Sequence, residues 1–253
     1  MIIVSPSNPS VTALRGLHLF HADMSNCSMR VRMTLEEKSL PWTSHHISLQ
    51  KKENVTAEYF GIHPQGLVPA LVHDGVVHIE SNEIIEYLDE RFPDPPLMPT
   101  AETARAAAKD WMHAATVRHL DTIKTFIYAK KMAGKLRKSE EEAAQYRALQ
   151  RDPELVAFHA KVASESGLAA RDVDAAEERL RGFFARAQEG LEQHRWWVGD
   201  EFSLADIAWA PLHFTLLGAG FPFGDYPRVS EWADAVRERP SFQQGVLKWC
   251  PIF

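Results

Sequence analysis

The residues of this chain best suited to chemistry are a hydroxyl and a thiol near its start, Ser25 and Cys27, in the segment SNCSMRVR. The apolar run at residues 17–20 precedes them and is typical of a buried strand. We therefore expect both side chains where a strand ends and a helix begins. The first N–H groups of a helix are unpaired and carry the positive end of its dipole, so a thiolate is stabilised there. The plainer interpretation is a serine or asparagine N-cap followed by a small buried cysteine.

Strand and helix patterns alternate before residue 93. Strands are predicted at 17–21, 42–49, 69–73 and 76–80, and helices at 26–39, 56–62 and 81–92. Asp74-Gly75 separates the last two strands and is a strong hairpin signal. Ser81 is a natural N-cap for the helix that follows. The resulting order is βαβ followed by ββα.

A proline-rich stretch, PDPPLMP at 93–99, indicates a stiff linker. Beyond it only helices are predicted, at 102–133, 139–165, 171–194, 203–218 and 228–247. The segment SLAD at 203–206 forms a capping box with Asp in place of Glu. We therefore expect a first domain at 17–92, a linker at 93–100 and an all-helical domain at 101–253. Residues 1–16 are expected to form a disordered or loosely packed extension.

The composition is that of a globular protein of 253 residues, 45% hydrophobic, with a formal net charge of −6. Basic and acidic residues are interspersed, so there is no electrostatic footprint for nucleic acid. No apolar run approaches the ~20 residues needed to cross a membrane, and the N-terminus makes a poor signal peptide. The two cysteines, Cys27 and Cys250, lie far apart and form no metal-ligand pair. We expect a cytoplasmic protein with reduced thiols and no metal.

The βαβ–ββα unit, the proline linker and the all-helical second half together resemble the glutathione transferases. Val68-Pro69 matches the Val-Pro step before the family's third strand, and Glu80-Ser81 matches the acidic residue and serine before its third helix. The capping box at 203–206 matches the turn before a buried helix of the family's second domain. The resemblance covers almost the whole chain from residue 17. It implies an α/β, thioredoxin-like first domain, an all-α second domain and a homodimer.

The same resemblance implies glutathione as co-substrate, held by the first domain. A cis Pro69 would turn the backbone of Val68 outward to pair with the cysteinyl unit of glutathione like an added strand. The alternative is an ordinary trans proline at the start of a strand. Ser81 would take the γ-glutamyl carboxylate at a helix N-terminus, with Glu80 near the α-amino group, although a simple N-cap is an alternative for this pair as well.

The roles implied for the thiol end of glutathione fall on the segment already singled out. Ser25 would donate a hydrogen bond to the glutathione sulfur and favour its thiolate. Cys27 would attack a glutathionyl conjugate and resolve it as a mixed disulfide, or else is a passive small side chain. At the other end, Lys52 or its neighbour Lys51 would reach the glycyl carboxylate, unless both are solvated.

Within the family, SNCSMRVRM is similar to the Zeta class, whose pattern is SSCSWRVR. It resembles still more the tetrachlorohydroquinone reductive dehalogenases derived from that class, through Ser28-Met29 and Glu36-Glu37. The long second domain is shared with those dehalogenases and with bacterial β-aryl etherases. Asn26 departs from the Zeta pattern, and the standard Glu-Ser pair departs from the dehalogenases.

The resemblance also places an electrophile pocket between the two domains. Aromatic walls with a few polar groups suit a flat, hydroxylated aromatic substrate, whereas aromatics at helical spacing are more often core. The candidate lining residues are Met24, Trp111, His113, His119, Tyr128, Trp209, His213 and Phe214.

Three functions follow from these residues. The first is a glutathione-dependent transferase acting on an aromatic electrophile, by reductive dehalogenation, aryl-ether cleavage or conjugation. The second is cis–trans isomerisation of a dienoic acid of the maleylacetoacetate type, in which Arg30 is a candidate for holding substrate carboxylates. The third is a binding or assembly module without catalysis, which the presence of both Ser25 and the Glu-Ser pair disfavours.

Overall fold

The computed structural model describes residues 2–132, 139–164 and 167–250. The ends of the helices predicted at 102–133 and 139–165, and the last three residues of the predicted second domain, lie outside the described residues. None of the described helices combines the length and the apolar character that a membrane span requires.

A five-stranded mixed sheet is built from the first eighty residues, in the order β1-β5-β4-β2-β3. Strands β2 and β3 are parallel, and every other pair is antiparallel. Leu19 of β2 lies between Ser44 of β3 and Leu71 of β4. The sheet confirms the predicted thioredoxin-like order. The strands are β1 (Ile2–Val4), β2 (Leu17–His21), β3 (Trp42–His46), β4 (Ala70–His73) and β5 (Val76–Ile79).

The N-terminal residues are not a loose extension, and that expectation was wrong. β1 pairs with β5 at the edge of the sheet, and Val11 is buried. Gly75, in the predicted hairpin turn, has a φ of +84°, and a Cβ there would lie 2.4 Å from the carbonyl oxygen of Thr12. The N-terminal segment therefore packs directly on the β4–β5 turn. Its strand is too short for a periodic signal and depends on β5 as its partner.

Three helices accompany the sheet: α1 (Asn26–Glu37), α2 (Ala57–Phe60) and α3 (Ser81–Arg91). Helix α1 is central, and Met29, Val31, Met33 and Leu35 on it have no exposed surface. Its neighbours include α3 from the first part and two helices from the second part. Because α1 is enclosed on several sides, any polar side chain on it must find hydrogen bonds within the protein.

The second part is helical, as predicted, but three of the predicted helices are interrupted. Proline cannot continue a helix from the preceding turn, so breaks occur before Pro153 and before Pro240. The third break follows Val117, where Arg118 leaves helical geometry with φ −119° and ψ 35°. The helices are α4 (Glu102–Val117), α5 (Thr125–Ile127), α6 (Glu140–Leu149), α7 (Pro153–Ala163), α8 (Ala170–Leu191), α9 (Leu204–Gly218), α10 (Pro227–Arg237) and α11 (Pro240–Gly245), with π-helical turns at His119–Lys124 and Tyr128–Met132 on either side of α5.

The capping box that opens α9 is confirmed. Ser203 N donates to Asp206 Oδ2 at 2.9 Å, and the Ser203 hydroxyl accepts from the backbone of the first turn. Asp206 also accepts from Trp197 N and Trp232 Nε1, at 3.0 and 2.8 Å. The carboxylate therefore joins three segments of the helical part, which fixes the position of α9 beneath α1.

The linker between the two parts is anchored by a buried ion pair. Lys38 Nζ lies 2.7 Å from Asp89 Oδ1 and also donates to the carbonyl oxygens of Phe92 and Pro95. Asp89 accepts the backbone N–H groups of Leu97 and Met98, both at 2.9 Å. Every polar group of the pair is satisfied, so the chain crosses between the two parts in one fixed path.

Candidate glutathione and electrophile site

Ser25 occupies the N-cap of α1, and its hydroxyl faces the loop before β4. Its Oγ accepts a hydrogen bond from Ser28 N at 3.2 Å and lies 3.5 Å from the carbonyl oxygen of Val68. The N-cap of the plain interpretation is therefore present and compatible with the chemical one, but Cys27 is partly exposed and not buried as that interpretation expected. The hydroxyl sits at the positive end of the α1 dipole, and its proton, which now makes a long hydrogen bond to the Val68 carbonyl, can turn toward a bound anion.

The peptide bond between Val68 and Pro69 is cis. Val68 is partly exposed, and its N–H has no hydrogen-bond partner in the described part of the chain. A free backbone N–H beside a half-exposed edge suits pairing with an extended peptide. The loop that carries it is fixed from the second part, since Gln150 Nε2 donates to the carbonyl of Gln65 at 2.7 Å and Gln65 Nε2 donates to Asp152 at 2.8 Å.

Glu80 and Ser81 form the entry into α3, but not as predicted. Glu80, not Ser81, is at the N-cap position, and its side chain makes no capping hydrogen bond. Its φ of +67° is uncommon for a residue other than glycine and marks a constrained turn. Ser81 is already the first helical residue, because the left-handed turn at Glu80 brings the chain straight from β5 into α3. The N-cap prediction for Ser81 was therefore wrong.

Arg30 is not available to hold a substrate carboxylate, which corrects the role considered for it. The side chain has no exposed surface. Its guanidinium donates to Ser81 Oγ at 3.2 Å, to the carbonyl of Ala208 at 2.8 Å and to that of Ala115 at 3.1 Å. These bonds join α1 to α3, α9 and the last turn of α4. Arg30 thereby fixes Ser81 and supplies a donor to a carbonyl that the end of α4 leaves unpaired.

Lys52 and Lys51 differ in what they face. Lys52 makes an ion pair with Glu142 of α6, so its ammonium group is directed toward the second part. Lys51 is exposed, and its backbone N–H donates to Ser48 Oγ at 3.3 Å. Of the two, Lys52 is the lysine whose ammonium group joins the first part to the second.

Most of the aromatic residues assigned to the electrophile pocket belong to the core instead. Trp209 has no exposed surface and stacks on Trp197 at 4.8 Å, while its Nε1 donates to the carbonyl of Trp111. His213 packs 4.0 Å from the ring of Phe223. Trp111 on α4 and Trp209 on α9 pack against each other, whereas His213 and Phe214 pack on Phe223 and Phe242, so these side chains lie in the core and not on a pocket wall. The buried members of the set are Trp111, Trp209, His213 and Phe214.

The remaining pocket candidates are accessible to different degrees. Met24, directly before Ser25, is 45% exposed, and His113 on α4 is exposed. His119 is partly buried, and its Nδ1 has no exposed surface and no hydrogen-bond partner among the described residues. Tyr128 is partly buried, with its ring 5.7 Å from that of Phe158 on α7.

Cys27 is partly exposed in the first turn of α1, and both cysteines are free thiols. Two cationic side chains lie near it. Burial lowers the pKa of Arg30 and of Lys124, and negative charge on Cys27 opposes that effect at each. Lys124 went unnoticed in the sequence because it lies some ninety-seven residues from Cys27 and in no motif.

Comparison with known proteins agrees with this geometry. The family model for the glutathione S-transferase N-terminal domain matches residues 19–96, and that for the C-terminal domain matches residues 152–240. LigF of Sphingobium sp. strain SYK-6 is 28% identical over 229 residues, covering 86% of this chain and 88% of LigF. Its crystal structure, described as that of a beta-etherase, has a TM-score of 0.78 at 27% identity and covers 90% of this chain and 98% of LigF.

Two further relatives connect the chain to the Zeta class. A probable maleylacetoacetate isomerase of Caenorhabditis elegans is 28% identical over 223 residues, covering 86% of this chain and 87% of its own length. A zeta-class glutathione S-transferase of Euphorbia esula is 40% identical over 83 residues, or 33% of this chain and 37% of that protein. The fold, the two matched domain models and these relatives together show that the chain belongs to the glutathione S-transferase family of enzymes.

Proposed function

We propose that this chain catalyses attack of the glutathione thiolate on an aromatic electrophile, with displacement of an ether oxygen or a halide. The observation that carries the proposal is the position of the Ser25 hydroxyl, at the N-terminus of α1 and 3.5 Å from the carbonyl of Val68. Glutathione, when bound, supplies the nucleophilic sulfur. The protein supplies the groups that orient the tripeptide and favour its ionised form.

Three elements of the first part would bind the tripeptide. The unpaired N–H of Val68 suits its cysteinyl backbone, and the N-terminus of α3 at Ser81 suits the γ-glutamyl carboxylate. Glu80, which enters α3 through its left-handed turn, would accept from the α-amino group. Lys52 would pair with the glycyl carboxylate in exchange for its present ion pair with Glu142.

Ser25 would stabilise the thiolate by donating its hydroxyl proton. The Oγ already accepts from Ser28 N, so the oxygen is held in place, and the O–H can exchange its long hydrogen bond to the Val68 carbonyl for one to the sulfur. A hydrogen bond to a thiolate is charge-assisted, and the unpaired N–H groups of the first turn of α1 act in the same direction. Both effects lower the pKa of a thiol bound there.

The ether class is the first to test among aromatic electrophiles, because LigF is described as a beta-etherase and is similar over nearly its whole length. The relative named as a probable maleylacetoacetate isomerase supports isomerisation as the second candidate. The burial of Arg30 disfavours it, since that guanidinium has no exposed surface for a substrate and bonds within the protein instead. A homodimer in the cytoplasm, expected from the family, is part of the same proposal.

The test measures glutathione consumption together with phenol release from an aryl ether that carries a fluorescent phenol, and conjugation of 1-chloro-2,4-dinitrobenzene. We expect both reactions in the wild type and a large loss in Ser25→Ala. Thr56→Ala is the matched control, because Thr56 is the N-cap of α2 in the same way, with its Oγ1 3.1 Å from Tyr59 N. Isomerisation of a dienoic acid without glutathione consumption would favour the second candidate, and no heat of glutathione binding in calorimetry would indicate an assembly module.

A further inference from the structure

Lys124 ends the π-helical turn His119–Lys124 and carries a cation that none of the residues around it in the structure neutralises. Its side chain is only partly exposed, and its ammonium group makes no hydrogen bond or ion pair with any residue in the described part of the chain. The acidic residue on the same turn, Asp121, pairs instead with Arg118 at 2.9 Å and Arg179 at 3.9 Å. Partly buried charges are normally paired, so this ammonium group is suited to a bound anion.

The surroundings of Lys124 place it at the end of α1 that carries Ser25. Burial lowers the pKa of Lys124, and a negative charge on Cys27 opposes this, which agrees with that position. The backbone gives the reason: Arg30, one turn beyond Cys27, holds the carbonyl of Ala115, and the turn containing Lys124 follows directly after α4.

His119 provides a second unsatisfied group in the same place. Its Nδ1 has no exposed surface and no partner among the described residues. Burial lowers the pKa of this imidazole well below its usual range, and the charges of Lys124 and Arg30 act in the same direction, so it is neutral. Arg30 itself is buried and donates to Ser81, Ala208 and Ala115. Among the described residues of this region, an entering ligand would therefore meet the ammonium group of Lys124, with the neutral and partly exposed imidazole of His119 five residues before it.

We propose that Lys124 binds an anionic oxygen on the electrophile, a carboxylate or phenolate on its aromatic ring, with the partly exposed imidazole of His119 as a second contact. The inference rests on the proposed function and narrows its substrate class to anionic aromatic compounds. It assigns the anion to a residue of the second part, whereas glutathione is bound by the first part. Binding of glutathione and of the electrophile anion should therefore respond to different substitutions.

The test compares 4-chloro-3-nitrobenzoate with 4-chloro-3-nitrobenzamide, which share a ring and leaving group but differ in charge. Each is reacted with glutathione and the wild type, Lys124→Met, Lys124→Arg and the control Lys131→Met, which removes an exposed lysine. We expect Lys124→Met to lower kcat/KM for the benzoate about tenfold, the effect of losing one hydrogen bond to a charged group. The benzamide should change less than about twofold, and Lys124→Arg should retain most of the benzoate activity.

An equal loss on both compounds, or an unchanged benzoate rate, would overturn the proposal. Lys124→Met should fold at least as stably as the wild type in urea, because it removes an unpaired, partly buried charge. If the wild type turns over neither compound, the proposed function fails separately. Lys124 is then judged by calorimetry with the preformed thioether of glutathione and nitrobenzoate, whose affinity should still fall about tenfold in Lys124→Met and stay unchanged in Lys131→Met.

Discussion

Replacement of Ser25 by alanine removes two interactions that differ in size. The first is the N-cap hydrogen bond from Ser28 N at 3.2 Å, whose loss costs about 1 kcal/mol of stability. The second is the proposed hydrogen bond to the glutathione thiolate, worth about 1.5–3 kcal/mol as a bond to a charged group. Since one pKa unit corresponds to about 1.36 kcal/mol, the pKa of bound glutathione should rise by about one to two units. The thiolate fraction below that pKa should fall about 10- to 100-fold.

The assay is the pH dependence of the ultraviolet absorbance of the thiolate in the binary complex, alongside kcat/KM for 1-chloro-2,4-dinitrobenzene. In Ser25→Ala the activity should fall most at low pH and recover as the pH rises through the higher pKa. Thr56→Ala should lose similar stability but keep the wild-type thiol pKa, and this separates the two effects. If Ser25→Ala titrates at the wild-type pKa, the hydroxyl has no role in forming the thiolate and the reasoning is refuted.

Three further outcomes are expected. Cys27→Ser should keep aryl-ether cleavage within about twofold, because that reaction ends at the thioether and needs no resolving thiol; a stalled glutathione conjugate would contradict this. Lys52→Met should raise the KM for glutathione about three- to tenfold, because one partly exposed ion pair with the glycyl carboxylate is lost, while Lys51→Met leaves the KM unchanged. Equal effects of the two substitutions would contradict the assignment of the glycyl carboxylate to Lys52. Burial holds the pKa of His213 at about 3 in the folded protein, so native His213 is neutral. In the unfolded chain its pKa is about 6.5, so the folded state loses stability as the pH falls below that value. Between pH 7 and pH 5 this residue should lower the free energy of unfolding by about 2 kcal/mol. In urea unfolding at the two pH values, His213→Phe should therefore lose about 2 kcal/mol less than the wild type. The control His194→Phe, at an exposed position, should lose as much as the wild type.

The sequence by itself determined the elements whose signals are local. Asp74-Gly75 specifies the β4–β5 turn, with φ of +49° and +84°, because few residues tolerate two consecutive left-handed conformations. Ser203 and Asp206 start α9 through contacts three residues apart. The strand, helix and linker order, and with it the family, follow from such short-range patterns. The position of Ser25 at the end of β2 and the start of α1 followed from the same kind of pattern.

The tertiary structure decided everything that depends on residues far apart in the chain. Trp209 and His213 had the composition of a pocket wall, yet contacts with α4 and the α10 region place them in the core. Arg30 looked free to bind a substrate until its partners Ala115 and Ala208, 85 and 178 residues away, took up its donors. Lys124 was unremarkable as a residue in a helix and became notable only because no described residue pairs with it. Whether a polar or aromatic side chain faces solvent, core or cleft depends on which distant element packs against it, and local periodicity carries no information about that.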